Sequence, residues 1–182
     1  WESIHSQISL NSDVTLSAGN TGVLLVMSKL ILKTMDGINK PALAGLWPND
    51  KNMNIVLDLG ANIDCSEKNL IDFSEMGSAL YRSLFPNETA KVALLNIGSE
   101  EVKGTETLKN TYSKLKILDG MGDFKFNGYI EGNQITDGKS NVIVTDGFTG
   151  NVALKTAEGT ANFLTKNLKK TLSENIFTKL SA

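Results

Sequence analysis

Short apolar segments that end in turns rich in Gly and Asn constrain this fold more than any other feature. The sequence predicts strands at Val14–Ser17, Asn54–Asp58, Val92–Ile97 and Val142–Thr145, each followed by such a turn. Val92–Ile97 has the apolar character of a central strand buried on both faces. Segments with helical spacing of apolar residues follow the turns. Strands alternating with helices indicate a parallel sheet with right-handed crossovers. We therefore predict an α/β fold, a layered α/β/α sandwich with a mostly parallel sheet.

The remaining elements follow from the same patterns. Further strands are predicted at Ala42–Leu46 and Phe124–Ile130. The predicted helices are an amphipathic segment through Trp1, Ile4 and Ile8, a helix over Val23–Met35 that ends at Gly37, a helix from the cap Ser66 to Leu84, one from Thr105 to Leu118, and one from Asn151 onward. In the helix after Ser66, the spacing predicts that Leu70, Phe73, Met76 and Leu80 share one face.

Composition narrows the class of protein. The chain has 182 residues, 41% of them apolar and 21% charged, so it can bury a core. Its net charge of −2 argues against a nucleic-acid binder, although a few amide groups can still bind phosphate. A single cysteine, Cys65, excludes an internal disulfide and fits a reducing cytoplasm. The most apolar run, Val23–Leu32, is too short to span a bilayer. We expect neither a metal nor a cofactor.

Four turns are the candidate ligand site. They are Ser17–Gly22, Asp58–Asp64, Asn96–Glu101 and Asp146–Asn151. Ligands of an open parallel sheet bind at the carboxyl ends of the strands, so we expect all four turns to meet at one edge. Each turn taken alone is also explained as an ordinary tight connection from strand to helix.

The first turn is the best candidate for binding an anion. Its glycines allow a close approach of the backbone, and it leads directly into a helix whose N-terminus offers free N–H groups. It matches neither the Walker A pattern nor the dinucleotide-binding pattern. The candidate phosphate ligands are Ser17, Gly19, Asn20, Thr21 and Gly22.

The amino-acid sequences of these turns resemble those of a known family. Ser17–Gly22, Asp58–Asp64, Leu94–Gly104 and Asp146–Lys155 are similar, in the same order and spacing, to signature stretches of the bacterial acyl-acyl-carrier-protein:phosphate acyltransferases. The resemblance covers nearly the whole chain and includes two further segments, 39–43 and 76–79. Two departures are Ser99, where an acid is common, and Val102, where a glycine is common.

The resemblance implies a fold and an extent. The fold would be that of the isocitrate and isopropylmalate dehydrogenases, and residues 1–182 would form a single α/β catalytic domain. Family members begin with a strand and a Gly-rich loop and end with a further helix and a Gly-Gly-Ala-Pro-like segment. Neither pattern occurs here, so we expect the N-terminal and C-terminal flanks to be missing.

The reaction implied is transfer of a fatty acyl group from acyl-carrier protein to inorganic phosphate, which gives acyl phosphate for phospholipid synthesis. Phosphate is partly dianionic near neutral pH, and a thiol leaves readily, so no strong base or acid is obligatory. The enzyme must instead hold phosphate beside the carbonyl and stabilise the oxyanion with oriented donors. The absence of an evident Ser-His-Asp triad is therefore no objection.

Several residues are candidates for that task. Asn62, Asn96 and Asn151 are candidate donors to phosphate or to the oxyanion. Lys103 is the candidate cation, or else a solvated lysine paired with Glu100 and Glu101. The supporting residues we expect at the strand ends and turns are Asp58, Gly60, Gly98, Asp146, Gly147 and Gly150, of which the two aspartates orient donors or cap the turns.

Two reactive side chains are discounted. His5, the only histidine, lies on a helix remote from the turns, and we expect a surface or packing role for it. Cys65 lies next to the second turn, but no histidine accompanies it in any motif. We therefore expect it to be a small apolar filler.

The last helical segment suggests partners. Its apolar residues at helical spacing are Leu154, Ala157, Ala161, Leu164, Leu168 and Leu172, extended by Phe163, Ile176, Phe177 and Leu180. Lysines 166, 169 and 170 lie between them. We expect a homodimer first, with peripheral contact of residues 154–180 with the inner face of the membrane as an additional possibility. The protein is otherwise expected in the cytoplasm.

Other functions stay open from the sequence. A dehydrogenase of the isocitrate type needs an arginine cluster, and Arg82 is the only arginine. A phosphotransacetylase would use acyl-CoA instead of acyl-carrier protein. A non-catalytic phosphate-binding or membrane-associated module is the alternative outside the enzymes.

Overall fold

The computed structural model describes residues 1–173, which form one sheet with helices beside it. In chain order the elements are α1 (Glu2–Ile8), α2 (Thr21–Leu32), β1 (Gly45–Pro48), β2 (Met53–Leu57), α3 (Glu67–Leu84), β3 (Ala90–Leu95), α4 (Glu106–Leu118), β4 (Phe124–Ile130), a 3-10 turn (Gly132–Gln134), β5 (Val142–Val144) and α5 (Gly147–Ser173).

The sheet has five strands in the order β1-β2-β5-β3-β4. Strands β2, β5, β3 and β4 run parallel, and β1 pairs antiparallel with β2 at one edge. Alternate residues of the central strands enter two separate apolar clusters, one on each face, as a strand's two-residue period requires. Helices α3 and α4 pack on one face and the start of α5 contacts the other, so a mostly parallel sheet flanked by helices confirms the predicted α/β class. The closer likeness to isocitrate dehydrogenases stays a prediction.

Helix α3 covers one face of the sheet. Ser66 caps it as predicted, and its side chain accepts a hydrogen bond from the Asn69 N–H. The buried face differs in part from the prediction, because Leu70 and Phe73 are buried whereas Leu80 is exposed. Gly77 continues the face instead, since a Cβ there would lie 2.7 Å from Val142 Cγ1. The missing side chain therefore brings α3 close to the central strand.

The predicted strand Val14–Ser17 is wrong. The segment has no sheet partner, and the Thr15 hydroxyl instead donates a hydrogen bond to the Ser3 carbonyl at the start of α1. Leu16 remains 90% exposed. Strand-like composition alone cannot supply the neighbouring strand that the backbone groups need. The first turn consequently follows no strand, and the expectation that all four turns meet at strand ends holds only for the other three.

Several predicted boundaries also shift. Helix α2 begins at Thr21 and ends at Leu32, where Lys33 adopts a φ of 63°, so the predicted stop at Gly37 is wrong. The strand predicted at Ala42–Leu46 is β1, which starts at Gly45. Helix α5 starts at Gly147, four residues before the predicted Asn151.

Other predictions are confirmed. Strand β4 spans the predicted residues 124–130, and Thr105 caps α4 by accepting a hydrogen bond from the Leu108 N–H. The strands predicted to end at Asp58, Ile97 and Thr145 end within two residues of those positions. The chain therefore turns where the Gly- and Asn-rich segments begin.

Helix α5 packs on the sheet only at its start. Leu154 contacts the second apolar cluster, and all residues from 158 to 172 are exposed. The predicted apolar residues Ile176, Phe177 and Leu180 lie outside the described residues. Within residues 1–173, no helix combines the length and apolarity needed to cross a bilayer.

Candidate active site

Asp58 organises the second turn. Its fully buried carboxylate follows β2 and accepts hydrogen bonds from four backbone N–H groups, those of Leu43, Gly60, Ala61 and Asn62, at 2.8–3.1 Å. The Asn62 side chain donates a fifth at 2.7 Å. An ionised carboxylate accepting several N–H groups fixes a loop strongly. Asp58 therefore caps the turn, one of the two roles expected from the sequence.

The side-chain amide of Asn62 joins two segments. Its Nδ2 donates to Asp58 and, at 2.7 Å, to the Pro41 carbonyl. A side-chain amide carries two N–H donors, so both are used inside the protein. The geometry gives Asn62 a positioning contact rather than a free donor. Its backbone carbonyl accepts a further hydrogen bond, 2.7 Å long, from the Gly147 N–H.

The start of α5 lies directly against this turn. A Cβ at Gly147 would lie 2.6 Å from the Asn62 carbonyl oxygen, and one at Gly150 would overlap the Asp58 carbonyl oxygen. Neither position accommodates a side chain without movement of the backbone. The two glycines, predicted as supporting residues, therefore allow the second and fourth turns to touch. Gly60 also lies at this contact, since a Cβ there would lie 3.4 Å from the Asn151 side chain. Its φ of 133° is a conformation that favours glycine.

Asp146 caps α5. Its carboxylate accepts hydrogen bonds from the Thr149 N–H at 2.8 Å and from the Thr149 hydroxyl at 2.9 Å. A carboxylate at a helix N-terminus also interacts favourably with the helix dipole. Asp146 is therefore a turn cap like Asp58, and Thr149 is a site residue that the sequence analysis missed.

The third turn is held by Asn96 and Gly104. The buried Asn96 side chain accepts a hydrogen bond from the Ile97 N–H at 2.9 Å and donates to the Lys103 carbonyl at 3.1 Å. Gly104 has a φ of 90°, and a Cβ there would collide with the Asn96 side chain. Gly98 is buried against Glu100 and Lys103. The turn is thus closed by one amide side chain.

Lys103 does not pair with the neighbouring acids. Its side chain is exposed, and the described residues contain no ion pair between it and Glu100 or Glu101. Glu101 instead receives hydrogen bonds from Lys116 and Tyr112 of α4, at 2.9 and 2.8 Å. These two contacts lower the pKa of the Glu101 carboxyl and attach the third turn to α4.

The first turn is divided between two cavities. Ser17, Gly19 and Asn20 line a cavity of 200 Å³ against α1, apart from the other turns. The Asn20 side chain accepts a hydrogen bond from the Val23 N–H at 3.0 Å, so it caps α2. Thr21 and Gly22, the first two residues of α2, face the opposite way and line a different cavity.

That second cavity, here called the amide cavity, joins three turns. It measures 260 Å³ and is lined by Thr21, Gly22, Gly60, Ala61, Asn151 and Lys155, among others. The first residues of a helix have no intrahelical partner for their N–H groups, so α2 presents free donors at this point. Lys155 lies one helical turn after Asn151 on the same face of α5. It supplies a positive charge that the sequence analysis quoted but did not select.

A second depression lies on the other side of the first turn of α5. This apolar groove measures 440 Å³ and is lined by Leu95, Asn96, Ile97, Leu108, Val152 and Ala153, with Thr105, Asp146 and Thr149 at one end. The same three polar residues line a smaller cavity beside Cys65. The third and fourth turns therefore meet at the groove, and the second turn contributes Ile63 and Asp64 to the smaller cavity.

The two discounted residues, His5 and Cys65, line neither the amide cavity nor the apolar groove. His5 lies on α1 and stacks on Trp1. Burial raises the pKa of the Cys65 thiol, and its Sγ lies 3.7 Å from the Asn62 carbonyl oxygen. A thiol with a raised pKa is a poor nucleophile at neutral pH. Within residues 1–173, no group of three His, Cys, Asp or Glu side chains can hold a metal ion.

Comparisons with known proteins show the family of the chain. A family model described as "Fatty acid synthesis protein" matches residues 5–182. A phosphate acyltransferase from Pelagibacter ubique is 64% identical over 182 residues, covering 100% of this chain and 54% of the relative. Phosphate acyltransferases from Delftia acidovorans and Agrobacterium fabrum are 48% and 43% identical, over 92% and 99% of this chain and 49% and 51% of their own lengths.

A solved structure agrees on the fold. The EutD phosphotransacetylase from Staphylococcus aureus superposes with a TM-score of 0.57 at 18% sequence identity, over 80% of this chain and 49% of the other. At this identity the likeness concerns the fold alone. The chain spans about half the length of the curated relatives it matches. By the family model and these relatives together, the chain belongs to the phosphate acyltransferase family.

Proposed function

We propose that this chain supplies the catalytic domain of an enzyme that transfers a fatty acyl group from the thioester of acyl-carrier protein to inorganic phosphate. The product is acyl phosphate for phospholipid synthesis. The observation that carries this proposal is the amide cavity, where three turns characteristic of the family come together. No metal or cofactor takes part in the proposed reaction.

Phosphate would bind in the amide cavity. The free N–H groups of Thr21 and Gly22 and the positive end of the α2 dipole suit a dianion. Asn151 adds a side-chain donor and Lys155 a charge. The other three candidates, Ser17, Gly19 and Asn20, would act indirectly by holding the turn in shape. Ser17 Oγ accepts a hydrogen bond from the Gly19 N–H at 3.1 Å, and the Asn20 side chain caps α2.

Of the two candidate cations, Lys155 is the better placed. It lines the amide cavity, whereas Lys103 is exposed on the third turn. Lys155 also forms an ion pair with Glu158 at 2.8 Å, and both side chains are largely exposed. Such an exposed pair contributes little energy, so Lys155 is free to contact phosphate at small cost. We therefore assign the phosphate contact to Lys155 rather than to Lys103.

Acyl transfer requires little side-chain acid–base chemistry. A phosphate oxygen attacks the thioester carbonyl, the C–S bond breaks, and the thiolate takes a proton from solvent. The protein contributes by holding the two reactants together and by presenting donors to the oxyanion. Asn151 and the buried Asn96 are the candidate donors at the two sides of the α5 start, while Asn62 positions the second turn.

The activity assay uses the full-length protein. Purified protein is incubated with acyl-carrier protein carrying a long acyl chain and with phosphate, and acyl phosphate is trapped with hydroxylamine as the hydroxamate. We expect product that depends on phosphate. Replacing the donor with acyl-CoA separates this reaction from that of a phosphotransacetylase, which would prefer the CoA thioester. Lack of product from either donor refutes the enzyme function and favours a non-catalytic phosphate-binding module.

Two pairs of variants test the phosphate site. Asn20→Ala removes the α2 cap, which contributes about 1 kcal/mol, and should raise the KM for phosphate about fivefold. Ser66→Ala removes the equivalent cap of α3 and should leave that KM unchanged. Lys155→Gln should also raise the KM for phosphate, whereas Lys166→Gln farther along α5 should not. Equal effects of the members of either pair would contradict the assignment.

The proposal extends to assembly. Residues 158–172 of α5 are exposed and include Phe163, Leu164 and Leu168, with lysines between them. Such a surface supports a homodimer formed through this helix in the cytoplasm, with the lysines available to anionic lipid at the inner face of the membrane. Sedimentation of the full-length protein with and without anionic vesicles tests both parts.

A further inference from the structure

We propose that the apolar groove beside α5 holds the fatty acyl chain of the donor thioester. This inference rests on the proposed function. It gives a binding site to the acyl chain, which the proposed phosphate site does not accommodate. The groove lies between the third turn, α4 and the first turns of α5, and most of its lining is carbon. At 440 Å³ it falls within the range of about 300–1,000 Å³ typical of small-molecule sites.

Two apolar side chains of the groove are largely exposed to solvent. Ile97 is 81% exposed although it follows the buried strand β3, and Val152 on α5 is 51% exposed. Leu108 packs against the first apolar cluster and Leu95 belongs to the second, so the groove adjoins the core. A ligand that covers these surfaces gains hydrophobic free energy in proportion to the area it buries. A linear hydrocarbon chain has the chemistry required.

The polar end of the groove selects the form of the ligand. The Thr105 hydroxyl and the second side-chain N–H of Asn96 can donate to a carbonyl in the groove, whereas the Thr149 hydroxyl already donates to the carboxylate of Asp146. That carboxylate would repel the negative head of a free fatty acid but not an uncharged thioester. We therefore assign the groove to an acyl thioester rather than to a fatty acid.

The position also suits the reaction. Asn151 lines the amide cavity and Val152 lines the groove, so successive residues of α5 separate the two. An acyl chain in the groove would place its carbonyl carbon near Thr149 in the first turn of α5, and Asn151, two residues later, lines the proposed phosphate site. The α5 start would then orient both substrates.

A chain-length experiment on the full-length protein tests the groove. Val152→Trp and Ala153→Leu place extra volume in it from the exposed side of α5, and Ile117→Trp on the exposed side of α4 is the control. For each variant, kcat/KM is measured with hexanoyl and palmitoyl acyl-carrier protein. We expect the palmitoyl-to-hexanoyl ratio to fall at least about tenfold in the two groove variants and to stay at the wild-type value in the control.

A second measurement does not depend on catalysis. Val152→Cys and, as control, Ile117→Cys are each made in a Cys65→Ala background, and their alkylation rates are measured without phosphate. Palmitoyl acyl-carrier protein should slow alkylation at position 152 at least about fivefold relative to the hexanoyl form, and should not do so at position 117. Comparison of the two acyl forms separates protection by the chain from protection by the docked carrier protein.

Defined results would overturn the inference. One is a wild-type chain-length ratio in both groove variants together with equal protection by the two acyl forms. Another is a uniform loss of activity at every chain length with a lowered Tm, which would mean that another part of the longer polypeptide fills the groove. If the wild-type protein formed no acyl phosphate while position 152 was still protected by the palmitoyl form, the proposed function would fail and the acyl site would stand.

Discussion

Asp58→Asn is the sharpest perturbation of the candidate site, because it changes one atom of a fully buried side chain. In the protein, one carboxylate oxygen accepts the N–H groups of Leu43, Gly60 and Ala61, and the other accepts both donors of Asn62. An asparagine amide can match the three donors with its oxygen, but its NH2 group then faces the two donors of Asn62. At least two charge-assisted hydrogen bonds are therefore lost.

The magnitude follows from that count. A hydrogen bond to a charged group contributes about 1.5–3 kcal/mol, so the loss of two predicts a decrease of about 3 kcal/mol or more in the free energy of unfolding. For a protein of this size, each kcal/mol lowers Tm by roughly 2–4 °C, which gives a decrease of roughly 6–12 °C. This is a large part of the ~5–15 kcal/mol that stabilises a typical domain.

The assay is thermal and urea unfolding of the wild type and of two variants. Asp64→Asn is the matched control, because Asp64 lies in the same turn with its side chain exposed. We expect the control to change the free energy of unfolding by less than about 0.5 kcal/mol. A loss below about 1 kcal/mol for Asp58→Asn, or equal losses for both variants, would refute the view that this carboxylate organises the turn.

Three further predictions use other residues. The Cys65→Ala variant should retain the wild-type rate of acyl transfer, and loss of activity would show that the thiol is the nucleophile after all. Because burial raises the pKa of the Cys65 thiol, it should also be alkylated more slowly than glutathione at the same pH. Gly150→Ala should destabilise the protein by several kcal/mol because the new Cβ would overlap the Asp58 carbonyl oxygen. The control Gly159→Ala has open space around the new Cβ and should stabilise the protein by about 0.5–1 kcal/mol. Equal changes of the two variants in urea unfolding would argue against the close contact. Burial and the neighbouring Glu88 raise the pKa of Tyr81 to about 12, above the ~10 of an unfolded tyrosine. The folded state therefore favours the protonated phenol, and the free energy of unfolding that this contributes is fully present below pH ~10 and is lost as pH rises through about 12. Ultraviolet titration of Tyr81→Phe should lack the last tyrosinate to form; an unchanged titration curve would contradict the assignment.

Local signals made much of the fold predictable. Ser66 and Thr105 cap helices with their own side chains, so the sequence around each cap carries the boundary. The second, third and fourth turns follow buried strands, and their meeting at one sheet edge follows from parallel topology. Asp58 and Asp146 end strands where a short side chain can accept N–H groups of the next residues, and both do so.

Tertiary contacts decide the features that the sequence analysis missed. Val14–Ser17 has strand-like composition, but Thr15 bonds to α1, and no local pattern shows that a partner strand is lacking. Helix α5 starts at Gly147 because Asp146 caps it, which places Asn151 one turn inside the helix. Lys155 shares the face of Asn151 with either start, but its place in the amide cavity depends on how α5 packs against the second turn, which no local pattern gives.

The amide cavity has walls from two parts of the molecule that differ in how firmly they are held. Gly60 and Ala61 belong to a turn anchored by a buried carboxylate, whereas Thr21 and Gly22 are exposed residues at the start of α2, which packs chiefly on α1. A phosphate that bridges both walls binds the assembled arrangement and not the separated one. By mass action, its binding free energy therefore adds to the attachment of the α1–α2 pair to the sheet. Phosphate would then act as a structural linker as well as a substrate, and its concentration would set how often α2 opens to hydrogen exchange.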